Sequence, residues 1–247
     1  MITVITATGD RPLAFALCQH WMRNQTVQPN QWVVIDDGKV PTDPMVRMQY
    51  VRREPQPNDP SPTLILNLKT AFPLVMGDKV IIVEDDEYYS PGYVEEMSRQ
   101  LDQHEIVGIM MSKYYHLPSG GYCVHPNTRH ASLCATAFRS SFLPEVKEIL
   151  NVCERENYQY LDMRMWPRTG PRGYLFADTA KTLYVGIKGM PGRSGICKGH
   201  DAAFYIRSSK DTADRETLRK WAPEGFRVYQ DVLSGVLTAE NYRAYFK

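Results

Sequence analysis

Three acidic residues in a row, Glu84, Asp85 and Asp86, follow directly on the apolar run Lys79–Val83. The run reads as a buried strand of a parallel sheet, and such sheets collect ligands at the carboxyl ends of their strands. Adjacent carboxylates repel one another unless a cation offsets them. A hard divalent ion, Mn2+ or Mg2+, does so, typically joining one or two carboxylates to substrate phosphates. The plainer reading is a solvated acidic turn.

Asp36-Asp37-Gly38 ends a second strand, Trp32–Ile35, and so falls on the same sheet edge. A carboxylate there can accept hydrogen bonds from a nucleoside base or ribose, although Asp-Gly is equally a common turn pair. TATGDRP (6–12) joins the first strand to the first helix. The helix start could receive phosphate, with Arg11 adding a bidentate contact. The spacing matches neither a dinucleotide-binding loop nor a P-loop. Last comes the glycine-rich stretch KGMPGRSGICKGH (188–200). Lys188, Arg193 and Lys198 could hold phosphates there and His200 could complete a metal site, although a lone histidine is more often structural.

The elements that must carry these residues alternate. Ile2–Thr6, Trp32–Ile35, Met48–Val51, Lys79–Val83 and Ile106–Met111 read as strands. Between them, Leu13, Leu17 and Trp21 recur at helical spacing, with Asp10 as cap and Pro12 in the first turn. Leu64, Leu68 and Ala71 mark a helix that starts near Ser61-Pro62 and is ended or kinked by Pro73, and Pro91–Leu101 reads as another. Arg52–Pro62 is a proline-rich loop. This order predicts an α/β fold with a mostly parallel sheet and helices on both faces. Residues 140–152 read as a helix, Tyr158–Trp166 starts the next, and Leu183–Ile187 is a strand. Residues 211–247 form a helical C-terminal segment, with Thr238 capping its last helix.

The bulk properties permit such a fold. The chain has 247 residues, 43% hydrophobic and 23% charged. A single domain is expected, with no repeat and no linker. The net charge of +1 hides two opposite regions. Eight acids stand against Arg99 between Glu84 and Glu105; seven bases stand against Asp178 between Arg164 and His200. The basic region could meet donor phosphates, an anionic acceptor, or simply the acidic region of its own chain. No apolar stretch is long enough to span a membrane, and no signal peptide is recognisable. Five dispersed cysteines without a Cys-x-x-Cys pair suggest a reduced, cytoplasmic protein with buried thiols.

In this order, the motifs resemble the family 2 glycosyltransferases of the GT-A fold, from Met1 to about His200. TATGDRP stands where that family has its P-T-x-N-R-like turn, and WVVIDDG where it has V-V-D-D-G. Asn67 and Lys69 fall in its nucleotide-contacting R-N-x-G region, with the glycine missing. VIIVEDDEYYSPGYVEEM is similar to its strand, acidic metal motif and helix. FRSSFLPEV (138–146) and YLDMRMW (160–166) are similar to its F-R-R segment and base motif.

The resemblance implies a single GT-A (Rossmann-like) domain. Residues 1–110 would form the nucleotide-sugar half and 111–210 the acceptor and catalytic half. It implies a UDP-sugar or related donor, contacted by Thr6, Thr8, Arg11, Asp37, Asn67, Lys69, Asp85 and Arg193. Asp86 and His200 would hold Mn2+ or Mg2+, and Asp162 would be the catalytic base of an inverting transfer. The family often has two acids at the base motif, whereas Leu161 precedes Asp162 here, so Asp178 is the reserve base.

TGDRPLAFAL with PGRSGI also resembles phage enzymes that glycosylate hydroxymethylated pyrimidines in double-stranded DNA. This gives DNA as the expected acceptor, in a host cytoplasm, with Trp166 supporting an extruded base. A glycan or cell-envelope hydroxyl is the rival acceptor. A sugar-nucleotide nucleotidyltransferase and a non-catalytic nucleotide-binding module are the rival classes.

Overall fold

A computed structural model describes residues 1–193 and 202–247. The elements run β1 (Ile2–Thr8), α1 (Pro12–Arg23), β2 (Gln31–Asp36), β3 (Gln49–Arg52), α2 (Leu64–Ala71), β4 (Lys79–Ile82), β5 (Tyr88–Tyr89), α3 (Tyr93–Gln100) and β6 (Ile106–Met110). The second half runs β7 (Ser112–His116), β8 (Gly121–His125), β9 (Thr136–Arg139), α4 (Leu143–Arg155), α5 (Leu161–Met165), β10 (Gly173–Ala177) and β11 (Tyr184–Lys188). It closes with α6 (Ala202–Ile206), β12 (Ser209–Lys210), α7 (Glu216–Trp221), α8 (Phe226–Leu233) and α9 (Tyr242–Tyr245).

A seven-stranded sheet orders these strands β10-β6-β9-β4-β1-β2-β3. All neighbours are parallel except β9, which runs antiparallel to both β4 and β6. The expected α/β fold with a mostly parallel sheet is therefore observed. The apolar runs are continuous because helices cover the sheet: Val4, Val33, Val34 and Ile81 have no exposed surface. Each such side chain contributes about 1.5–3 kcal/mol of burial. A smaller sheet, β12-β8-β7-β11-β5, packs beside it.

The register sets the site. β1 pairs with β2 so that Thr8 lies opposite Asp36, and with β4 so that Ile5 lies opposite Ile82. The segments after β1, β2 and β4 therefore leave the sheet at one edge, bringing residues 8–11, 37 and 84–87 together.

Some local expectations are corrected. Pro12 opens α1 as predicted, but the residue at the cap position is Arg11, with no side-chain cap. Asp10 instead accepts a hydrogen bond from the Lys39 backbone, 2.7 Å away. The reading of Pro73 holds: α2 stops at Ala71 and a 3-10 turn, Phe72–Leu74, follows it. The C-terminal segment is helical, yet Asn241 precedes α9, and Thr238 takes the Glu240 backbone N–H one turn earlier. Cys18, Cys134 and Cys153 are buried free thiols, and Cys123 is partly buried. Among the described residues no helix is long and apolar enough to cross a membrane.

Gly108, in the middle of β6, marks how tightly α5 is seated. A Cβ there would lie 2.4 Å from Ala131 Cβ and 2.5 Å from the Trp166 ring. Trp166 is buried and donates its indole N–H to Thr136 Oγ1 at 3.3 Å. It is a packing residue and not the exposed platform expected for an extruded base. Gly108→Ala must displace the indole and the end of α5, so a loss of about 1–3 kcal/mol is expected. Urea unfolding checks this; a change under about 0.5 kcal/mol, typical of neutral surface sites, would contradict it.

Candidate functional site

One cavity of about 540 Å³ opens at the shared edge. Thr8, Arg11, Asp37, Asn67, Glu84, Asp85, Asp86, Asp162 and Arg193 all line it, together with Glu87, Lys188, His130 and Tyr160. Among the predicted site residues, Thr6 and Lys69 are absent from the lining and His200 lies outside the described residues.

The two exceptions have geometric causes. Thr6 and Thr8 share a strand face, but Thr6 sits one repeat below the edge, where it accepts the Trp32 indole N–H at 3.0 Å. Thr8 reaches the edge and donates to Asp85 at 2.7 Å. Asn67 and Lys69 are two apart on α2, so they cannot share a face. Asn67 is buried towards the cavity, whereas Lys69 pairs with Glu154 elsewhere.

The two aspartates after β2 divide their work. Asp36 accepts from the Gly38 and Thr42 backbone N–H groups and from Tyr50, which builds the turn. Asp37 faces the cavity. Arg53 approaches one of its oxygens at 2.7 Å and Arg193 the other at 2.7 Å. Burial alone would raise the Asp37 carboxyl. Hydrogen bonds from Thr63, Arg193 and Arg53 outweigh it and hold the group below the usual carboxylate range. Arg53 also donates to Asn67 at 2.6 Å and to Asp59 at 2.7 Å. Sequence reading missed Arg53; its position directly after β3 was the available signal.

The acidic run is densely packed. Arg11 bridges Asp85 at 2.8 Å and Asp86 at 2.9 Å. Lys188 meets Glu87 at 2.5 Å, and the Ile187 backbone N–H also donates to Glu87. Loss of solvent, then Glu87 and Asp86, push Glu84 up to about 8. Loss of solvent likewise pushes Glu87 up to about 7, against the pull of Lys188. Glu84, Glu87 and Cys134 each offer a ligand atom within 4.8 Å of the others, making an acidic cluster able to hold a cation. Asp86, the ligand predicted from sequence, lies outside that trio, with Arg11 on its carboxylate.

The donor chemistry nevertheless fits a hard divalent ion. Four successive carboxyl groups, residues 84–87, line the cavity, and among the described residues Arg11 contacts Asp85 and Asp86 while Lys188 contacts Glu87. Clustered carboxyl oxygens of this kind are the ligands a hard divalent ion takes.

Asp162 lies in the first turn of α5 and lines the same cavity. Loss of solvent raises its carboxyl above the usual range, and His130 pulls it partly back. Asp178, the reserve base, does not line the cavity. It is paired with Lys113 at 2.5 Å and accepts the Leu183 backbone N–H, which makes it a structural turn residue.

The predicted basic region meets its own chain. Arg164 pairs with Glu156, Arg168 with Glu148, Arg172 with Glu105 and Glu145, Lys181 with Glu224, Lys188 with Glu87, and Arg193 with Asp37. Lys198 lies outside the described residues.

No family profile and no curated protein sequence matches the chain. Solved structures do. Residues 1–349 of S. aureus TarS in complex with UDP-GlcNAc align at 14% identity with a TM-score of 0.51, covering 98% of this chain and 73% of that one. The same fragment in complex with UDP gives 12% identity, a TM-score of 0.50, and 99% and 78% coverage. A further TarS structure gives 12% identity and a TM-score of 0.51, with 76% of this chain covering 37% of that chain. The chain thus spans a little over a third of that TarS structure. The likeness establishes the fold, a Rossmann-like GT-A domain.

Proposed function

We propose that this protein is a glycosyltransferase that moves a sugar from a nucleoside diphosphate donor, UDP-sugar in the first instance, onto an acceptor hydroxyl with inversion. The observation that carries this reading is one cavity shared by Asp37, the Asp85–Asp86 pair and Asp162, with Arg11 and Arg193 also on its wall. The fold is shared with TarS, which has been solved with UDP-GlcNAc and with UDP.

Asp37, steadied by Arg53, accepts hydrogen bonds from the nucleoside. Thr8 orients Asp85. Arg11 and Arg193, both on the cavity wall, would receive the diphosphate. Asp162 takes the proton of the acceptor hydroxyl as the new glycosidic bond forms and the bond to the diphosphate breaks. Asp86, with Asp85 beside it, would hold a divalent cation that offsets charge on the departing diphosphate.

The sequence resemblance offers hydroxymethylated DNA as acceptor and a glycan or cell-envelope hydroxyl as rival. The two features counted towards DNA are both committed elsewhere: the described bases from Arg164 to Arg193 are each paired with an acid, and Trp166 is buried. The proposal therefore stops at a hydroxyl acceptor, and transfer assays on hydroxymethylated DNA, plain DNA and glycans decide the class.

A thermal-shift screen tests the donor reading. UDP or UDP-sugars with Mn2+ should raise the melting temperature, because a ligand at 100 times its Kd stabilises by about 2.7 kcal/mol. Asp37→Ala should abolish the shift. No shift with any nucleoside diphosphate or its sugars would contradict the reading, and metal-dependent turnover of a nucleoside triphosphate would favour a nucleotidyltransferase.

A further inference from the structure

The Arg11 guanidinium is bonded on two sides. It spans both aspartates, Asp85 at 2.8 Å and Asp86 at 2.9 Å, while its Nε donates to the Arg193 backbone oxygen at 2.6 Å. The Arg193 backbone N–H in turn donates to the Asp10 oxygen at 3.1 Å, and its guanidinium holds Asp37 at 2.7 Å. Gly192 makes this closeness possible: at φ +116° a Cβ there would meet the Asp10 oxygen at 2.7 Å. The acidic pair, the first loop and the 189–193 segment are thus one bonded unit centred on Arg11. Its side chain is only 14% exposed, and those of Asp85 and Asp86 are 3% and 6%. Charges so buried require a partner at all times.

Resting on the donor reading above, we propose that Arg11 is the resident counter-ion of the acidic pair and exchanges partners when the donor binds. In the free protein it holds Asp85 and Asp86 together. A divalent ion entering at Asp86 is repelled by the guanidinium already there. A diphosphate offers Arg11 a new anionic partner, which lifts the guanidinium from Asp85 and Asp86 and removes its repulsion of the ion. Arg11 therefore adds to the coupling between metal and nucleotide binding, and that coupling is reciprocal. The same exchange draws on the 189–193 segment, because Arg193 is bonded to both Arg11 and the nucleoside-facing Asp37.

The test is Mn2+ binding by electron paramagnetic resonance, with and without UDP, on the wild type and Arg11→Met. In the wild type, UDP should tighten Mn2+ binding at least about tenfold. In Arg11→Met, Mn2+ alone should bind at least about tenfold more tightly than to the wild type, and UDP, whose phosphates still offer the ion oxygens, should tighten it by a smaller factor than in the wild type. A folded Arg11→Met protein that binds Mn2+ alone no better than the wild type overturns the proposal. Should Arg11→Met fail to fold, Arg11→Lys takes its place. Its single ammonium cannot fork across two carboxylates, so Mn2+ alone should bind about threefold more tightly, and an unchanged constant overturns the proposal. Absence of UDP binding by the wild type contradicts the donor reading itself. UDP binding with no gain in Mn2+ affinity in the variant contradicts the exchange alone.

Discussion

Asp162→Asn is expected to lower sugar transfer by about 10³-fold or more while leaving UDP binding and the melting temperature close to wild type. The amide keeps the shape of the side chain at the start of α5 but cannot take a proton, and a positioned general base contributes about 10²–10⁴-fold. The wild-type pH profile should carry the same signature. Burial raises the Asp162 carboxyl above the usual carboxylate range. The base works only when ionised, so kcat/KM should fall as pH drops through that raised value. The acid limb should lie above pH 4, roughly the ordinary carboxylate midpoint. Near-normal turnover by Asp162→Asn would remove it from the chemistry.

Lys188→Met carries the largest expected effect on stability. Lys188 is 4% exposed and Glu87 1%, and they meet at 2.5 Å across 101 residues of sequence. Taking away one partner leaves an uncompensated buried charge, which costs about 3–5 kcal/mol. At about 2–4 °C per kcal/mol for a domain of this size, the melting temperature should fall by roughly 6–20 °C. Glu87→Gln placed on top should restore much of the loss, since the stranded charge goes with it. Equilibrium urea unfolding of the single and double variants measures both; a single-variant loss under about 1 kcal/mol would show that the pair is not structural.

These two residues also mark how far the sequence was legible. The acidic run after β4 and the Asp37 segment after β2 could be read because parallel strands buried on both faces are continuous apolar runs, and the residues just past their carboxyl ends must emerge at one edge. The convergence of these segments on one cavity with Arg11 and Asp162 came from that logic and from the resemblance. The hairpin β7–β8 was not legible: SKYYH and GYCVH mix polar and aromatic residues with no clean period. Nor was β9, an antiparallel strand inserted between two elements that precede it in sequence. The Lys188–Glu87 pair is a tertiary fact with no local signal. Lys69 was misplaced because a linear motif ignores helical rotation, which sends it away from Asn67. Trp166 was misread because residue type does not reveal whether an indole is exposed, and Gly108 had made room for it.

If the carboxylates at the ends of β2 and β4 bind an activated sugar donor, a crystal structure grown with UDP and Mn2+ shows it most directly. Density is expected for the nucleoside beside Asp37 and for the diphosphate between Arg11 and the Asp85–Asp86 pair, with the ion on Asp86. A cavity free of nucleotide at saturating UDP, or UDP bound elsewhere on the chain, would contradict that binding mode and the transferase reading built on it.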